Sequence, residues 1–374
     1  MIRLAYIRSD NIYADSRATK EIKALLECGY CVDVFGWDED PDTPQKCEQI
    51  FANGNVHFDF YRGIKSQGST ISKIRAFIKW ISFAASRIKK GNYDCIHACD
   101  LDCGLIAKIS GFPYFYDIYD YFVDSHSFNK ILNTIFEHIE IGVINKAETT
   151  IICTEERKIQ IKNAKPHKVV VIYNSPDLSD MEDSNRNDES EYDYAYCGTL
   201  GEGRLIKEII SAHRDNQDLK FIFAGNGSYA DLAKKASNES ETFIFRGVIS
   251  YEDVLKIEKN AIAISAIYNP ITRNNQLCAP NKFYEALALG KPVIVCKGTG
   301  IDRVVEKNKI GVVINYNGEE FYKALRYLKN NPTACKQMGA KGRVLYESSF
   351  SWKQSKIKLQ NLYSEYLLSI REVG

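Results

Sequence analysis

The sequence has no long apolar run. None approaches the roughly 20 residues needed to cross a bilayer, so we expect no membrane span. Residues 1–7 are apolar but are not followed by a small-residue cleavage site, which predicts a first strand and not a signal peptide. With 374 residues the chain is expected to form two domains of a soluble, cytoplasmic protein.

Excess charge of either sign is also missing. Lysine and arginine number 49 and aspartate and glutamate 48, which gives a net charge of +1. This balance excludes a global electrostatic attraction to nucleic acid. The aromatic content of 12% excludes wholesale disorder.

Eleven cysteines are present, and without a secretion signal we expect reduced thiols. Cys28 and Cys31 have the spacing of a redox motif, but Gly29 is expected to end a helix there, whereas redox cysteines begin one. Three further cysteines near His97 match no zinc-ligand spacing, so they are predicted to be buried, small apolar side chains and not metal ligands.

Short apolar strands alternate with helical segments along the first half. Predicted strands lie at 4–7, 31–35, 93–97, 112–116, 149–153 and 168–172, and the first helix at 18–28. This alternation predicts crossover units and a parallel sheet with helices on both faces.

A second alternating series follows an acidic stretch. Residues 179–193 carry seven acidic side chains without apolar periodicity, which is typical of a solvated linker. Later strands are predicted at 194–197, 220–224, 242–245, 261–265 and 292–296, and a last helix at 351–368.

The chain is therefore predicted to hold two doubly wound α/β domains. Their bounds are 1–175 and 194–350, with an acidic linker at 176–193 and a C-terminal helix at 351–374. We expect the domains to face each other across a cleft, because ligands bind such sheets at the carboxyl ends of the strands.

The most informative pattern lies at residues 279–295. A helix that carries Glu285 ends at Gly290 and leads into an apolar strand. An unpaired carboxylate on an otherwise apolar helix is costly, so Glu285 needs a partner. A ribose diol is one candidate, since a carboxylate accepts bonds from two adjacent hydroxyls. An ion pair with Lys282, three residues earlier, is the alternative.

The order of several short motifs resembles the retaining glycosyltransferases of family 4. These motifs are residues 15–17, 93–100, 116–122, 196–200, 223–227, 245–249, 281–295 and 350–352. The resemblance implies the GT-B fold, with two Rossmann-like domains and a C-terminal helix that crosses back to the first domain. It also implies sugar transfer from a nucleoside-diphosphate donor.

By this resemblance, Glu285 is the second glutamate of a Glu-x7-Glu motif and binds the donor's ribose. Leu277 replaces the first glutamate. Lys282 and Asn281 are expected beside the diphosphate, where they would compensate for Pro280, which has no N–H to offer a phosphate.

A glycine-rich loop at 198–204 follows a predicted strand and precedes a helix. Glycines let a backbone approach a phosphate, and a helix N-terminus favours negative charge. Gly198, Thr199 and Leu200 are therefore predicted donor contacts. Arg204 is expected to clamp the diphosphate as a leaving group, and a solvated loop side chain is the alternative.

Two further loops complete the predicted donor site. Asn226 lies in a glycine turn that lacks the third glycine of a dinucleotide fingerprint and is a weak signal by itself. Arg246 and Val248 are expected beside the base.

Six residues of the first domain are predicted to bind or position the acceptor: Asp15, Arg17, His97, Asp100, Tyr119 and Asp120. His97 and Asp100 resemble the family's His-x-His-Asp sequence, and Tyr119 replaces a histidine that touches the donor sugar. Asp15 and Arg17 are expected in the first loop. A satisfied, half-buried His97 and a helix N-cap at Asp15 are the alternatives.

Residues 69–90 carry six basic and no acidic side chains among apolar and aromatic ones. Such a basic amphipathic helix is typical of a membrane surface element, which would suit a lipid-linked acceptor on the inner face of the membrane. The alternative is a helix that packs its apolar side on the first sheet.

These features predict a metal-independent retaining glycosyltransferase of cell-surface polysaccharide synthesis. It would move a sugar from a UDP-sugar, or GDP-mannose, to a hydroxyl of a glycan or lipid-linked glycan, with no cofactor besides this co-substrate. Its predicted catalytic residues are Arg204, Lys282, Glu285 and Asp120. Two alternatives stay open: a non-catalytic GT-B partner protein, and a UDP-sugar epimerase, which needs no acceptor.

Overall fold

The computed structural model describes residues 1–13, 15–51, 55–63, 70–126, 128–178 and 190–372. The chain divides into two compact units, Met1–Tyr173 with Lys353–Gly374, and Asn174–Trp352. Residues 179–189, most of the predicted acidic linker, lie outside the described residues. Among the helices that are described, none is long and apolar enough to span a bilayer.

A seven-stranded parallel sheet forms the centre of the first unit. Its strands are β1 (Arg3–Arg8), β2 (Cys31–Trp37), β3 (Val56–Tyr61), β4 (Cys95–Cys99), β5 (Tyr114–Ile118), β6 (Thr149–Ile152) and β7 (Val169–Val171). Their order is β3-β2-β1-β4-β5-β6-β7, so the winding reverses between β1 and β4. Ligands bind open α/β sheets at the carboxyl ends of strands beside such a reversal.

Helices connect these strands. They are α1 (Ser16–Glu27), α2 (Thr43–Ile50), α3 (Thr70–Ile88), α4 (Asp100–Ser110), α5 (Phe122–Ser125), α6 (Lys130–Ile144) and a C-terminal helix (Trp352–Glu372), most of which belongs to this unit. A 3₁₀ turn spans Glu155–Ile159. Strand β3 was not predicted, because it is a half-buried edge strand whose polar and apolar residues alternate.

Helix α3 packs its apolar side on the core of the first unit. Trp80 and Ile88 are fully buried, and Phe77 and Phe83 pack against the same core. The basic side chains after residue 74 are exposed. For the side chains that the structure describes, this matches the alternative of a helix packed on the first sheet. The side chains of residues 69–71, 73 and 74 are not among them. Peripheral membrane contact stays a prediction.

The second unit holds a six-stranded parallel sheet of order β10-β9-β8-β11-β12-β13. The strands are β8 (Tyr192–Cys197), β9 (Phe221–Ala224), β10 (Phe243–Phe245), β11 (Ala261–Ala266), β12 (Val293–Cys296) and β13 (Gly311–Ile314). Strand β13, at the edge, was not predicted from the sequence, although its four residues form a short apolar run. The winding reverses between β8 and β11.

The helices of this unit are α7 (Ile206–Ala212), α8 (Ala230–Glu239), α9 (Tyr251–Lys259), α10 (Arg273–Gln276), α11 (Asn281–Ala288), α12 (Ile301–Asn308), α13 (Gly318–Asn330) and α14 (Pro332–Leu345). Short turns follow at His213–Asp215 and Tyr346–Phe350. Aromatic residues dominate the core, where Tyr194, Phe221 and Phe321 are fully buried and contact one another at their rings. Burial of rings this large stabilises the sheet that carries the glycine-rich loop.

Candidate functional site

The glycine-rich loop 198–204 leaves the carboxyl end of β8, next to the reversal between β8 and β11. Backbone hydrogen bonds join this loop to the turn after β9: Gly198 N–H donates to Ala224 O at 2.8 Å, and Leu200 N–H to Asn226 O at 2.8 Å. A Cβ on Gly225 would lie 1.9 Å from Gly198 O. Glycine at 225 therefore lets the two backbones meet.

This arrangement corrects the prediction for Leu200, whose side chain is fully buried in the core and whose N–H is already bonded within the loop pair. Gly198, Thr199 and Asn226 are exposed. The exposed part of the loop pair thus consists of the residues on either side of Leu200.

A buried charge cluster lies beneath Gly198. It contains Lys282 and Glu285 of α11 together with Glu258 of α9. Lys282 Nζ is 3.4 Å from Glu258 Oε1 and 3.9 Å from Glu285 Oε2, and it lies 5.2 Å from the centre of the Tyr196 ring. Both the ion pair predicted as an alternative for Glu285 and a second, unpredicted carboxylate are therefore present.

Glu285 is 3% exposed. Its Oε1 accepts a hydrogen bond from the Tyr251 hydroxyl at 3.0 Å. Its Oε2 has no hydrogen-bond partner among the described residues, and the same is true of Glu258 Oε2. A buried carboxylate oxygen with unused lone pairs is a costly feature that a ligand hydroxyl would relieve.

The electrostatics of the cluster follow from burial and from its two carboxylates. Burial raises the pKa of Glu258 to about 8, and the neighbouring Glu285 raises it as well, while Lys282 lowers it. Burial by itself would lower the pKa of Lys282, but Glu258 and Glu285 outweigh burial and raise it. Lys282 therefore stays charged at neutral pH.

The other predicted donor residues lie apart from this cluster. The Arg204 guanidinium is half-buried and lies 5.1 Å from the centre of the Tyr268 ring. Asn281 begins α11, and its Oδ1 accepts a hydrogen bond from Asn174 Nδ2 at 2.8 Å. Val248 is 77% exposed.

For Arg246, the position beside the base stays a prediction. Its side chain lines a cavity of about 270 Å³ with Tyr192, the first residue of β8. Tyr192 begins β8, whereas Gly198 follows the last residue of that strand. The Arg246 side chain is therefore directed away from the glycine loop.

In the first unit, Arg17 does not lie in a loop as predicted. It occupies the first turn of α1 and is 2% exposed. Its guanidinium donates to both carboxylate oxygens of Asp117, with Nη2 at 2.8 and 2.9 Å, and its Nε lies 2.9 Å from Glu21 Oε1. Its side chain is therefore part of a buried ion network and does not reach an acceptor.

Asp15 caps α1 through hydrogen bonds from the backbone N–H of Arg17 and Ala18, and it also accepts from Arg8 Nε at 2.9 Å. This is the N-cap alternative considered for Asp15. The cap also explains why α1 begins at Ser16, two residues before its predicted start.

His97 is fully buried, which corrects its predicted place facing the cleft. Its Nδ1 is 2.7 Å from the Tyr363 hydroxyl of the C-terminal helix, and its Nε2 is 3.4 Å from Glu21 Oε2. Burial by itself would lower the pKa of His97, but Tyr363, Cys99 and Asp117 raise it well above its ordinary value. His97 is thus a structural histidine of the core, and it is fully buried where the alternative considered for it was a half-buried one.

The predicted contacts Tyr119 and Asp100 also have partners inside this unit. The Tyr119 hydroxyl is 3.0 Å from that of Tyr6 and donates to Glu21 at 3.2 Å. Asp100 begins α4, accepts from the backbone N–H of Tyr119 at 2.9 Å and pairs with Arg8. Burial raises the pKa of Asp100 to about 6, although Arg8 lowers it.

Asp120 is the most accessible of the predicted acceptor residues, with a side chain that is 55% exposed. Arg157 donates to its Oδ1 at 3.1 Å. Asp120 follows the carboxyl end of β5, and its second oxygen is therefore placed to accept a bond from a ligand.

In the part of the chain that the structure describes, two groups of side chains are close enough to hold a metal ion: Glu21 with His97 and Cys99, and Cys31 with Asp33 and His57. In the first group, the Arg17 guanidinium already pairs with Glu21. In the second, Arg3 and Tyr93 donate to Asp33. None of the eleven cysteines takes part in a disulfide in the structure, and their reduced state in the cell stays a prediction.

One protein-family model matches part of the chain. Residues 179–345 match the family model described as glycosyl transferases group 1, which is less than half of the chain but most of the second unit. No curated protein sequence matches the chain.

Solved structures extend the similarity to the whole chain. Sucrose-phosphate synthase from Thermosynechococcus elongatus is 14% identical with a TM-score of 0.68, covering 99% of this chain and 100% of that chain. Medicago truncatula UGT71G1, complexed with UDP-glucose, is 10% identical with a TM-score of 0.67, covering 98% of both. Arabidopsis thaliana UGT89C1, complexed with UDP-L-rhamnose, is 10% identical with a TM-score of 0.65, covering 98% and 99%.

The chain has the GT-B fold. The predicted fold class is confirmed, and the family match together with this fold supports glycosyl transfer as the activity. The segment that the family model matches contains Gly198 together with Lys282 and Glu285 of the buried charge cluster.

Sequence reasoning missed one member of that cluster, Glu258, and it also missed Tyr251, which donates a hydrogen bond to Glu285. A signal for Glu258 was present, because it lies three residues after the buried Leu255 on α9 and so shares the apolar side of that helix. Tyr251 carried no comparable signal, since a tyrosine at the start of a helix is common on a protein surface.

Proposed function

We propose that this GT-B chain is a retaining glycosyltransferase. It transfers a sugar from a nucleoside-diphosphate donor, by default a UDP-sugar, to a hydroxyl of a glycan or lipid-linked glycan. The second unit binds the donor, and the first unit binds the acceptor. The proposal includes no metal ion and no further cofactor.

The observation that carries the proposal is the state of Glu285. Its Oε1 is fixed by Tyr251, while its buried Oε2 lacks a hydrogen-bond partner within the described part of the chain. It lies on α11, one turn after the helix begins, and Lys282 of the same helix lies against the exposed Gly198 backbone. A ribose bound there would donate a hydroxyl hydrogen to Oε2, which removes the cost of the unsatisfied oxygen.

A uracil nucleotide is favoured over guanine by the structural neighbours. UGT71G1 and UGT89C1 share this fold and are complexed with UDP-glucose and UDP-L-rhamnose. These names support a UDP-sugar as the first donor to test, with GDP-mannose second.

In the proposed reaction, the bond between the anomeric carbon and the β-phosphate oxygen breaks while the acceptor oxygen attacks from the same face. The acceptor's proton passes to the leaving diphosphate, which supplies the base. Lys282 and Arg204 stabilise the negative charge that develops on the diphosphate. Asp120 is proposed to position the acceptor hydroxyl by accepting its hydrogen bond, since half of its side chain is accessible.

Nucleotide binding tests the donor site directly. We expect UDP to raise the unfolding temperature of the wild type, because a ligand at about 100 times its dissociation constant stabilises the folded state by roughly 2.7 kcal/mol. Glu285→Gln keeps an acceptor for Tyr251 but loses the charge that binds the ribose, so its response should disappear. Glu252→Gln is the matched control, since Glu252 lies on α9 with a side chain that is 74% exposed.

Equal stabilisation of the wild type and Glu285→Gln by UDP would contradict the ribose assignment. The two other functions are separated by turnover. Release of UDP only when an acceptor glycan or lipid extract is added supports transfer. Consumption of UDP-sugar without acceptor points to an epimerase, and binding without any turnover points to a non-catalytic partner protein.

A further inference from the structure

Glu258 has no role in the function proposed above, yet it is fully buried in the donor unit. A carboxylate in such a place is retained only at a cost unless it is paired. Its partner is Lys282, whose Nζ lies 3.4 Å from Glu258 Oε1. The second oxygen, Oε2, lacks a hydrogen-bond partner among the described residues.

The position of the Lys282 ammonium is defined on three sides. Glu258 and Glu285 approach it at 3.4 and 3.9 Å. Towards the loop, a Cβ on Gly198 would lie 3.3 Å from Nζ, so the ammonium lies directly against the Gly198 backbone. An ammonium has three hydrogens to donate. Glu258 Oε1 accepts one of them, which leaves hydrogens for a further ligand.

We propose that Glu258 is a positioning residue for the donor diphosphate, which holds Lys282 against the Gly198 loop and takes up a proton when the diphosphate binds. This inference rests on the proposed function, because it needs a nucleoside diphosphate at the loop. It adds a residue outside the predicted donor site, and it couples donor affinity to pH.

The coupling follows from a charge count. With both carboxylates ionised, the cluster of Glu258, Glu285 and Lys282 carries one net negative charge. A diphosphate brings further negative charge to the same buried ammonium, and like charges in a poorly solvated site cannot all stay ionised. Glu258 is the group that accepts the proton, because Glu285 is needed as a charged acceptor for the ribose.

The groups that face Glu258 come from three elements: Lys282 and Glu285 of α11, Tyr251 of α9 and Cys197 of β8. Burial and Glu285 already raise the pKa of Glu258 to about 8. A bound diphosphate raises it further. Below pH 8 the proton is largely in place before binding, whereas above pH 8 it must be taken up, so affinity falls as pH rises.

The test compares UDP affinity of the wild type and Glu258→Gln by titration calorimetry between pH 7 and 9. In the wild type, the dissociation constant should rise by up to tenfold per pH unit above pH 8. Glu258→Gln keeps a hydrogen-bond acceptor for Lys282 without the titrating proton, so its affinity should match the wild type at pH 7 and stay constant. Glu258→Leu removes the acceptor and should weaken UDP at every pH.

Uridine is the control ligand, because it keeps the ribose and base but lacks the diphosphate. Its affinity should not differ between the wild type and either Glu258 variant, and its own pH profile corrects for ionisation of the uracil ring. Glu252→Gln, on the same helix but exposed, should behave like the wild type. A purely structural Glu258 would change the unfolding temperature but leave the pH profile of UDP binding unchanged.

Superimposable pH profiles for the wild type and Glu258→Gln would overturn the inference. If UDP still bound the wild type and not Glu285→Gln in that case, the donor assignment would stand and only the role of Glu258 would fall. Absence of binding by UDP and GDP to the wild type at any pH would overturn both proposals.

Discussion

Replacing Arg17 with methionine removes the cation from the buried ion network of the first unit. The guanidinium is 2% exposed and lies 2.8–2.9 Å from Asp117 and 2.9 Å from Glu21, both of them fully buried. Methionine fills a similar volume without charge. Two carboxylates are then left in the core with a single cation, His97, whose Nε2 lies 3.4 Å from Glu21 Oε2 and 3.5 Å from Asp117 Oδ2.

The expected cost follows from this loss of a partner. Removing one partner of a buried ion pair destabilises a protein by about 3–5 kcal/mol, because the remaining charge stays desolvated. For a unit of roughly 150–250 residues this corresponds to a fall in the unfolding temperature of about 6–20 °C.

The control is Arg87→Met. Arg87 pairs with Asp59 at 2.9 Å, a distance like those in the Arg17 network, but its side chain is 54% exposed. Exposed pairs contribute at most about 1 kcal/mol. The two variants thus differ chiefly in the burial of the pair.

Urea unfolding followed by tryptophan fluorescence measures the difference, because Trp37 and Trp80 are buried in the core of this unit. We expect a much lower midpoint for Arg17→Met than for Arg87→Met. Equal midpoints would refute the argument that burial sets the energy of this network.

Two further predictions concern Glu140 and Gly225. Burial raises the pKa of the Glu140 carboxyl to about 8. The free energy of unfolding therefore falls as the pH rises from the ordinary pKa of a glutamate through 8, because the buried carboxyl then has to lose its proton. Glu140→Gln should therefore equal the wild type in urea unfolding at pH 5 and exceed it at pH 9, and a constant difference between the two pH values would contradict this. Gly225→Ala places a Cβ 1.9 Å from Gly198 O, so UDP stabilisation should be lost, whereas Gly342→Ala, with its nearest atom at 3.6 Å, should retain it.

Much of the architecture could be predicted because apolar periodicity is a local property. The strand β12 after Gly290 and the helix carrying Glu285 are found where predicted, and Glu285 is buried with a hydrogen-bond partner as its apolar surroundings required. The edge strand β3 escaped prediction because its polar and apolar residues alternate. The edge strand β13 was missed although its residues form a short apolar run.

The candidate site was predictable only in part. The glycine loop and Lys282 were identified from neighbouring residues, but Glu258 comes from another helix, 24 positions away from Lys282. Arg17 was expected in a loop because a helix N-cap at Asp15 was only one of the two roles considered for that residue. The burial of Arg17 at the start of the helix depends on Asp117, which lies 100 positions later in the sequence.

The sequence by itself determined the order of strands and helices, the two α/β units and the need for a partner at Glu285, because each depends on side chains a few positions apart. The tertiary structure decided which buried charges meet. Pairing between distant residues depends on how strands are ordered across a sheet, and that order brings Arg17 to Asp117 and Lys282 to Glu258. Such contacts decide which charged side chains are held inside the protein and which remain available to a ligand.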